Sequence, residues 1–324
     1  MPERKDKFGP RAVTTSHASQ TTCDDGSSAL FLRAERPMMA ISMRIIAVAS
    51  VAVMLAGIKL AGQRGVHIME ALFYRQFLSL PLVLAWLLMG PSPISVHTSR
   101  IGAHCIRMAA GMAGMVLAFR SVTLLPLAEA TTISFTVPIF ATILSALVLK
   151  ETPGIHRWAG VVLGFCGVLV MIHPQGAGHF PPLGVAVALS AAIMAAVVNI
   201  LLRQIGRSEG ATTTVFWYTV LSLPPLGIGM YFFGQRHDLL TWGLLAAIGL
   251  TGGVGQLLLT ASLRWAPVSV VMPMEYSSLI WATLLGWLIW NNWPGGSTWT
   301  GAVLIVCSGL YIAWREHVRN IGPS

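Results

Sequence analysis

Ten apolar runs alternate with short polar breaks along most of the chain. From about residue 43 onward, each run is close to the roughly 20 residues that an α-helix needs to cross a membrane. The predicted spans are residues 43–61, 67–89, 101–121, 125–149, 155–172, 183–203, 212–233, 239–262, 267–290 and 296–314. The breaks between them are rich in Pro, Gly and Asn, which favour turns. The pattern therefore predicts an all-α integral membrane protein with ten transmembrane helices.

Both ends of the chain depart from this pattern. Residues 1–40 are polar and rich in Ser and Thr, a composition typical of disorder, and they lack the apolar run of a signal peptide. We expect residues 1–40 and 316–324 to form cytoplasmic tails. An alternative for the first of these is that translation begins at one of the methionines at positions 38, 39 and 43.

The distribution of Lys and Arg indicates how the spans are oriented. With a cytoplasmic N-terminus, 16 of the 21 basic residues fall on the cytoplasmic side, in agreement with the positive-inside rule. We therefore predict a multi-pass protein of a bacterial-type inner membrane, with both termini in the cytoplasm. The lipid bilayer is its first partner.

Composition supports this class and excludes others. Charged residues make up only 10% of the chain and the mean hydropathy is +0.70, so a soluble fold would lack charges to cover its surface. The net charge of +9 comes from residues at the ends of apolar runs rather than from a basic stripe, so we expect no nucleic-acid partner. The four cysteines and nine histidines show no metal-site spacing, and no P-loop or hydrolase motif is present. We expect no enzyme activity, cofactor or metal.

The chain repeats itself with a shift of 141 residues. Residues 117–172 align with 258–313 without a gap, and the shared positions include Pro126 with Pro267 and Trp158 with Trp299. Two halves of five helices each, at 41–172 and 183–315, would enter the membrane from opposite sides. Such inverted repeats are typical of transporters that bind substrate near the midplane. We predict two inverted five-helix repeats.

Two groups of residues carry a family resemblance. The first contains Leu125-Pro-Leu-Ala-Glu-Ala130 and Phe135-Thr-Val-Pro138, and the second contains Pro273-Met-Glu-Tyr276 and Trp281-Ala-Thr-Leu-Leu-Gly286. Together they resemble the EamA-type family of the drug/metabolite transporter superfamily. Pro273-x-Glu-Tyr276 is similar to the subgroup that includes riboflavin and S-adenosylmethionine transporters. The resemblance implies ten helices, cytoplasmic termini and a central cavity between the halves.

Charged residues inside the predicted spans are the first candidates for a substrate cavity or a gate. Glu275 and Arg107 lie at similar depths from the cytoplasmic end, and Glu129 and Arg75 lie within about two turns of the outer end. These depths predict one pair at each end, which would act as gates in alternating access. The alternative is a set of fixed structural pairs or snorkelling side chains. Glu275 is also a candidate for proton coupling.

Polar and aromatic residues within the spans extend the candidate cavity. The 141-residue shift places Glu275 on Ser134, so we expect Ser134 to face the same cavity, unless its hydroxyl bonds back to its own helix. Tyr276 and Trp281 offer aromatic faces on which a flat heteroaromatic substrate can stack.

Amides and prolines within the spans are further candidates. Asn199 and Gln256 need hydrogen-bond partners, either in the cavity or between helices. Pro138 and Pro273 are candidate hinges because proline permits a kink. Tyr218, by contrast, is predicted to lie in the aromatic belt at the membrane interface.

These features predict a secondary transporter or facilitator for a small organic metabolite. One alternative keeps the fold but makes the protein an exporter of drugs or amino acids. Another class of function is a non-transporting membrane scaffold, which has no need for inverted repeats or paired charges within the spans.

Overall fold

A computed structural model describes residues 37–88, 98, 100–148, 154–172, 181–206, 208–209, 211–262, 265 and 271–321. Residues 1–36 of the tail predicted at 1–40 and residues 322–324 of the tail predicted at 316–324 lie outside this part of the chain, whereas residues 37–40 belong to the first helix and residues 316–321 to the last. The described residues belong to one compact unit, Arg36–Ser324. The helices are α1 (Pro37–Gln63), α2 (Ile68–Leu88), α3 (Ile101–Leu124), α4 (Leu127–Ser134), α5 (Val137–Val148), α6 (Ile155–Ile172), α7 (Pro182–Ile205), α8 (Ala211–Phe233), α9 (Leu239–Ser262), a 3₁₀-helix (Met272–Ser277), α10 (Ser278–Trp290) and α11 (Gly296–Ile321).

These elements confirm the prediction of ten helices when the two interrupted ones, α4–α5 and the 3₁₀-helix with α10, are each counted once. Within the described residues, seven helices are long and apolar enough to cross a membrane. Large apolar side chains face outward, among them Leu239, which is 89% exposed, and Tyr231, which is 85% exposed. Such a surface is stable in lipid but not in water. Helix α1 begins six residues before the predicted start of the first span.

Two helices that the sequence pattern predicts as continuous are interrupted. Helix α4 ends at Ser134, and Phe135 and Thr136 form a turn before α5 begins. In the second half, a 3₁₀-helix precedes α10. Pro138 and Pro273 therefore sit in the first turn of a new helical segment, and neither kinks a continuous α-helix. Because the first turn has no intrahelical acceptor for its N–H groups, proline costs little there.

Helix packing joins the two halves of the sequence. The most extensive pairs are α1 with α9, α3 with α7, and α6 with α11. Small residues permit the close approach in the last pair: a Cβ added at Gly160 would lie 2.6 Å from Ile312 Cγ1, and one at Gly167 would lie 2.9 Å from the Gly301 carbonyl oxygen. Ser308 Oγ also donates to the Gly160 carbonyl at 2.6 Å. Small residues commonly have this packing role between membrane helices.

The bundle has two ends. At the near end α1 begins and α9 finishes, and Arg44 Nη1 of α1 donates to the Leu259 carbonyl of α9 at 3.1 Å. At the far end α1 finishes, and Trp290 Nε1 at the end of α10 donates to Gln63 Oε1 at 3.0 Å. These two ends are used below to describe depth along the bundle.

Candidate functional site

A cavity of about 340 Å³ lies within the bundle, between helices of both halves. Helices α2, α3, α4, α7, α8 and α9 contribute to its wall, together with Val137 at the start of α5. Its polar and charged lining residues are Arg75, Gln76, Ser79, Arg107, Ser121, Ser134, Asn199, Tyr218, Thr219 and Gln256. A volume of this size is typical of a small-molecule site.

Helical periodicity explains how the cavity extends along the bundle. On α3 the lining residues run from Arg107 to Ser121 at spacings of three and four residues, so they lie on one face over about 21 Å. The facing wall of α7 consists largely of small residues, including Ala188, Ala191 and Ala195. Short side chains on this wall leave room for the cavity while α3 and α7 stay in contact.

Two buried arginines approach the cavity from opposite ends. Arg75 lies seven residues into α2 from the far end, and its Nη1 donates to Gln76 Oε1 at 3.1 Å and to Met115 Sδ at 3.2 Å. Arg107 lies six residues into α3 from the near end, with its guanidinium carbon 4.5 Å from the centre of the Tyr218 ring. Tyr218 donates its hydroxyl to Met115 Sδ at 3.4 Å. The four side chains therefore form a continuous series of contacts.

Five of the residues predicted from the sequence stand in the cavity wall: Arg75, Arg107, Ser134, Asn199 and Gln256. Ser134 and Asn199 are exposed, so a molecule entering the cavity can reach them. The hydroxyl of Ser134 also donates to the Thr131 carbonyl at 2.6 Å, the local bond that the sequence left as an alternative. Tyr218, predicted for the interfacial belt, lines the cavity instead.

Both predicted charge pairs are wrong, because each charged residue contacts a different partner. Glu275 forms an ion pair with Arg44 of α1, whereas Arg107 stacks on Tyr218. At the other end, Glu129 Oε1 accepts a hydrogen bond from Thr298 at 3.3 Å, and Arg75 contacts Gln76 and Met115. Neither predicted pair is present among the described residues. Since α1 begins at Pro37, Arg44 lies two turns inside the helix and reaches the depth of Glu275.

The remaining predicted residues lie outside the cavity wall. Glu275, Glu129, Tyr276 and Trp281 do not contribute to the described lining. Tyr276 packs edge-on against Phe135 with ring centres 5.0 Å apart. Glu275, the second-half equivalent of Ser134, therefore forms the near-end ion pair with Arg44 and does not line the cavity. The repeat had predicted that these two positions share one cavity.

Two buried His–Glu pairs were not predicted. At the near end, Nε2 of His104, at the start of α3, lies 2.6 Å from Glu209 Oε2, just before α8. At the far end, Nε2 of His237, just before α9, lies 2.8 Å from Glu70 Oε1, at the start of α2. Each pair joins residues more than a hundred positions apart, so sequence spacing gave no signal for either.

No group of three His, Cys, Asp or Glu side chains suited to a metal ion occurs in the part of the chain that the structure describes. The chemistry that this site offers is therefore binding through guanidinium, amide and hydroxyl groups and one aromatic face.

Comparison with protein families gives two matches to one model. The model of the EamA-like transporter family matches residues 38–173 and again residues 182–314. Each match covers five helices when an interrupted helix is counted once, and the two matches lie on either side of the segment between α6 and α7.

Three relatives of known name are similar over most of their length. The S-adenosylmethionine uptake transporter of Rickettsia prowazekii is 26% identical over 253 residues, which cover 77% of this chain and 84% of that protein. The riboflavin transporter of Vibrio cholerae is 27% identical over 228 residues, 70% of this chain and 76% of that protein. The pseudopaline exporter CntI of Pseudomonas aeruginosa is 27% identical over 246 residues, 75% of this chain and 85% of that protein.

Proposed function

The chain belongs to the EamA-like transporter family, and we propose that it moves a small organic metabolite across the inner membrane by alternating access between two inverted repeats. The relatives named above are transporters of small molecules rather than enzymes. The observation that carries the proposal is the cavity, which helices of both halves enclose and which contains two buried arginines. A scaffold has no use for such a cavity.

Helix packing supports an inverted repeat. A shift of 141 residues places α1 on α7, α2 on α8, α3 on α9, α4–α5 on the 3₁₀-helix with α10, and α6 on α11. Under this shift the tight pair α1 with α9 corresponds to the tight pair α7 with α3, and α6 with α11 corresponds to itself. If a two-fold axis relates the two halves, it must exchange each helix with its equivalent, so each packed pair must map onto another packed pair or onto itself.

The two His–Glu pairs are suited to act as gates. His104 begins α3 and His237 precedes α9, its equivalent in the other half, while Glu209 precedes α8 and Glu70 begins α2, its equivalent. The pairs therefore join equivalent helix ends, although their residues do not coincide under the 141-residue shift, and they lie at opposite ends of the bundle. In an alternating-access mechanism, the His–Glu pair at one end must separate to open that end while the pair at the other end stays together.

Orientation in the membrane follows from the positive-inside rule. Both termini are placed in the cytoplasm, so the near end of the bundle faces the cytoplasm. A reporter enzyme fused after Ser324 should be active in the cytoplasm. Periplasmic activity there would contradict the orientation.

Transport is tested with purified protein in proteoliposomes exposed to a bacterial small-molecule extract, with uptake measured by mass spectrometry. Ala195→Trp places a large ring in the cavity wall and should abolish uptake. Ala186→Trp is the matched control, because it lies nine residues away on the opposite, exposed face of α7. Equal uptake by both variants, or none by the wild type, would contradict the proposal.

Direction and coupling are read in the same assay. The relatives include an uptake transporter and an exporter, and an exporter of drugs or amino acids is therefore the second candidate. Preloaded vesicles report efflux, and an imposed pH gradient reports proton coupling.

A further inference from the structure

The charge inside the cavity is unbalanced. Arg75 and Arg107 are 7% and 8% exposed, and both stand in the cavity wall. Among the described residues of that wall, none is acidic. The site therefore carries two positive charges with no counter-charge of its own.

Both guanidinium groups have only weak partners in the described structure. Arg75 uses an amide oxygen and the thioether of Met115, and its Nε has no hydrogen-bond partner there. Arg107 has the face of Tyr218, while its Nε and Nη1 have no hydrogen-bond partner in the described part of the chain. A thioether is a weak acceptor and an aromatic ring does not use the planar donor fork of arginine.

The acidic side chains that the structure describes are engaged elsewhere. Glu275 pairs with Arg44, Glu209 with His104, Glu70 with His237, Glu129 with Thr298, and Asp238 with Thr241. All five contacts lie near the two ends of the bundle, and none includes a cavity arginine. A rearrangement of one side chain therefore does not supply a counter-charge.

We propose that the cavity selects an organic anion, whose carboxylate or phosphate oxygens accept hydrogen bonds from Arg75 and Arg107. A guanidinium group in a low-dielectric interior is strongly stabilised by an anion that can use its two parallel donors. Arg75 and Met115 would separate as the anion takes the place of the thioether. The inference rests on the proposed transport function and names its substrate class.

The same geometry disfavours cations. An ammonium or sulfonium group would face two positive charges, and the described wall offers it only amide and hydroxyl oxygens and the Tyr218 ring. Like charges brought together in a buried site are strongly unfavourable. Neutral molecules would leave both arginines without an anion.

The test uses proteoliposomes containing the full chain and a bacterial small-molecule extract separated by ion exchange into three pools. The anionic pool contains carboxylates and phosphate esters, the neutral pool is supplemented with riboflavin, and the cationic pool is supplemented with S-adenosylmethionine and lysine. We expect uptake from the anionic pool. Phosphatase treatment of that pool distinguishes the two sources of charge, because it removes phosphate esters and leaves carboxylates.

Variants connect the selectivity to the two arginines. For the compound taken up, Arg75→Gln and Arg107→Gln should each raise the apparent Kd about thirtyfold or more, while Arg107→Lys should retain part of the affinity. Arg64→Gln is the control, since Arg64 is exposed at the far end and pairs with Asp238 at 3.4 Å. Thermal stability and monodispersity in detergent show whether each variant is folded.

The outcomes separate this inference from the proposed function. Uptake only from the neutral or the cationic pool would overturn the anion inference and leave transport intact. The absence of uptake, with anions still raising the Tm of the wild type but not of the arginine variants, would support an anion site and contradict transport. If neither uptake nor stabilisation by the anionic pool occurs, both proposals fail. If the arginine variants do not fold, the pool assay on the wild type alone decides.

Discussion

The helix pair α2 with α9 and the pair α3 with α8 both border the cavity and are equivalent under the proposed repeat, but they differ in packing. Helix α9 packs closely on α2, and a Cβ added at Gly249 would lie 2.5 Å from Leu78 Cβ and 2.8 Å from the Tyr74 carbonyl oxygen. The equivalent pair, α3 with α8, is in much less extensive contact and has the cavity beside it. There a Cβ at Gly111 would meet the ring of Tyr218, a side chain that can move, at 2.9 Å.

Under the proposed inverted repeat, this difference in packing bears on how the protein would transport its substrate. If both faces were packed alike, the structure would be symmetric and neither end would differ from the other. One tight face and one loose face make the two ends inequivalent. Exchange of the two packing arrangements would then move access from one end to the other.

The largest effect is expected from separating the His–Glu pairs. Glu70→Gln and Glu209→Gln each leave a buried histidine without its carboxylate, and the loss of a hydrogen bond to a charged group costs about 1.5–3 kcal/mol. We expect the two variants to shift cavity access in opposite directions. Glu70→Gln should open the far end, beside the tight face, and Glu209→Gln should open the near end, beside the loose face. A cysteine at position 134, in a protein without its native cysteines, reports access through its reaction with a membrane-impermeant thiol reagent.

The control for these variants is Arg64→Gln, which removes an exposed ion pair at the far end and should leave labelling unchanged. Vesicles of both orientations are needed, so that each end is tested separately. If both glutamine variants increased labelling from the same end, the assignment of one gate to each end would be wrong.

The tight face should be less tolerant of added volume than an unpacked position on the same helix. Gly249→Ala inserts a methyl group against Leu78 and the backbone of α2, and overpacking of this kind costs about 1–3 kcal/mol. Gly243→Ala on the same helix has nothing within 4 Å of the added Cβ, so helix propensity should make it neutral or stabilising by up to about 1 kcal/mol. The measurement is the Tm of each variant in detergent, and equal Tm values would contradict the packing difference.

The loose face should respond in transport more than in stability. Gly111→Ala pushes on the Tyr218 ring, which can turn away, so we expect a change in stability below about 1 kcal/mol. Because the ring also carries Arg107, apparent substrate affinity should fall several-fold. Gly102→Ala, on the same helix with nothing within 4 Å, is the matched control. Unchanged affinity in Gly111→Ala would separate the ring from the substrate site.

The smallest effect is expected at Asp238, the residue that directly precedes α9. Asp238 caps this helix by accepting the Thr241 amide at 3.3 Å, and its bond with the Thr241 hydroxyl holds the pKa of Asp238 below its usual range. A lowered pKa means that the contribution of the carboxylate to stability is complete above about pH 4 and is lost as pH falls through the folded-state pKa. The Tm of Asp238→Ala should be slightly below that of the wild type at pH 7, and the difference should shrink in acid.

Asp238→Asn keeps an acceptor at the cap without a charge. Its Tm should lie close to that of the wild type at pH 7, and the contribution of the cap should not titrate. A difference between wild type and Asp238→Ala that persists unchanged below the lowered pKa would show that the carboxylate is not the stabilising group.

The sequence predicted where charges lie in depth but not which charges meet. Arg75 and Arg107 were identified because a basic residue inside an apolar run has no stable place facing lipid. Their supposed partners were chosen by depth alone, and several helices present a residue at each depth. The six-residue error at the start of α1 also hid Arg44, the partner of Glu275.

Helix interruptions and the His–Glu pairs lay further beyond the reach of the sequence. Pro138 and Pro273 were predicted to be hinges within two continuous helices, yet hydropathy does not distinguish a kinked helix from two short segments. Glu70 and His237 are separated by 167 positions, and Glu209 and His104 by 105. Only the packing of α2, α3, α8 and α9 brings each carboxylate to its imidazole.

The sequence by itself determined the class of the protein and the number of its helices, and it predicted the duplication. The reason is that lipid requires a continuous apolar stretch with every backbone group bonded within the helix, a constraint that acts on local sequence. The tertiary structure alone decided which helices pack closely and which leave a cavity, and which side chains meet there. Those outcomes depend on small differences in side-chain volume at glycine and alanine positions across helix interfaces, and these interfaces join residues that are distant in the chain.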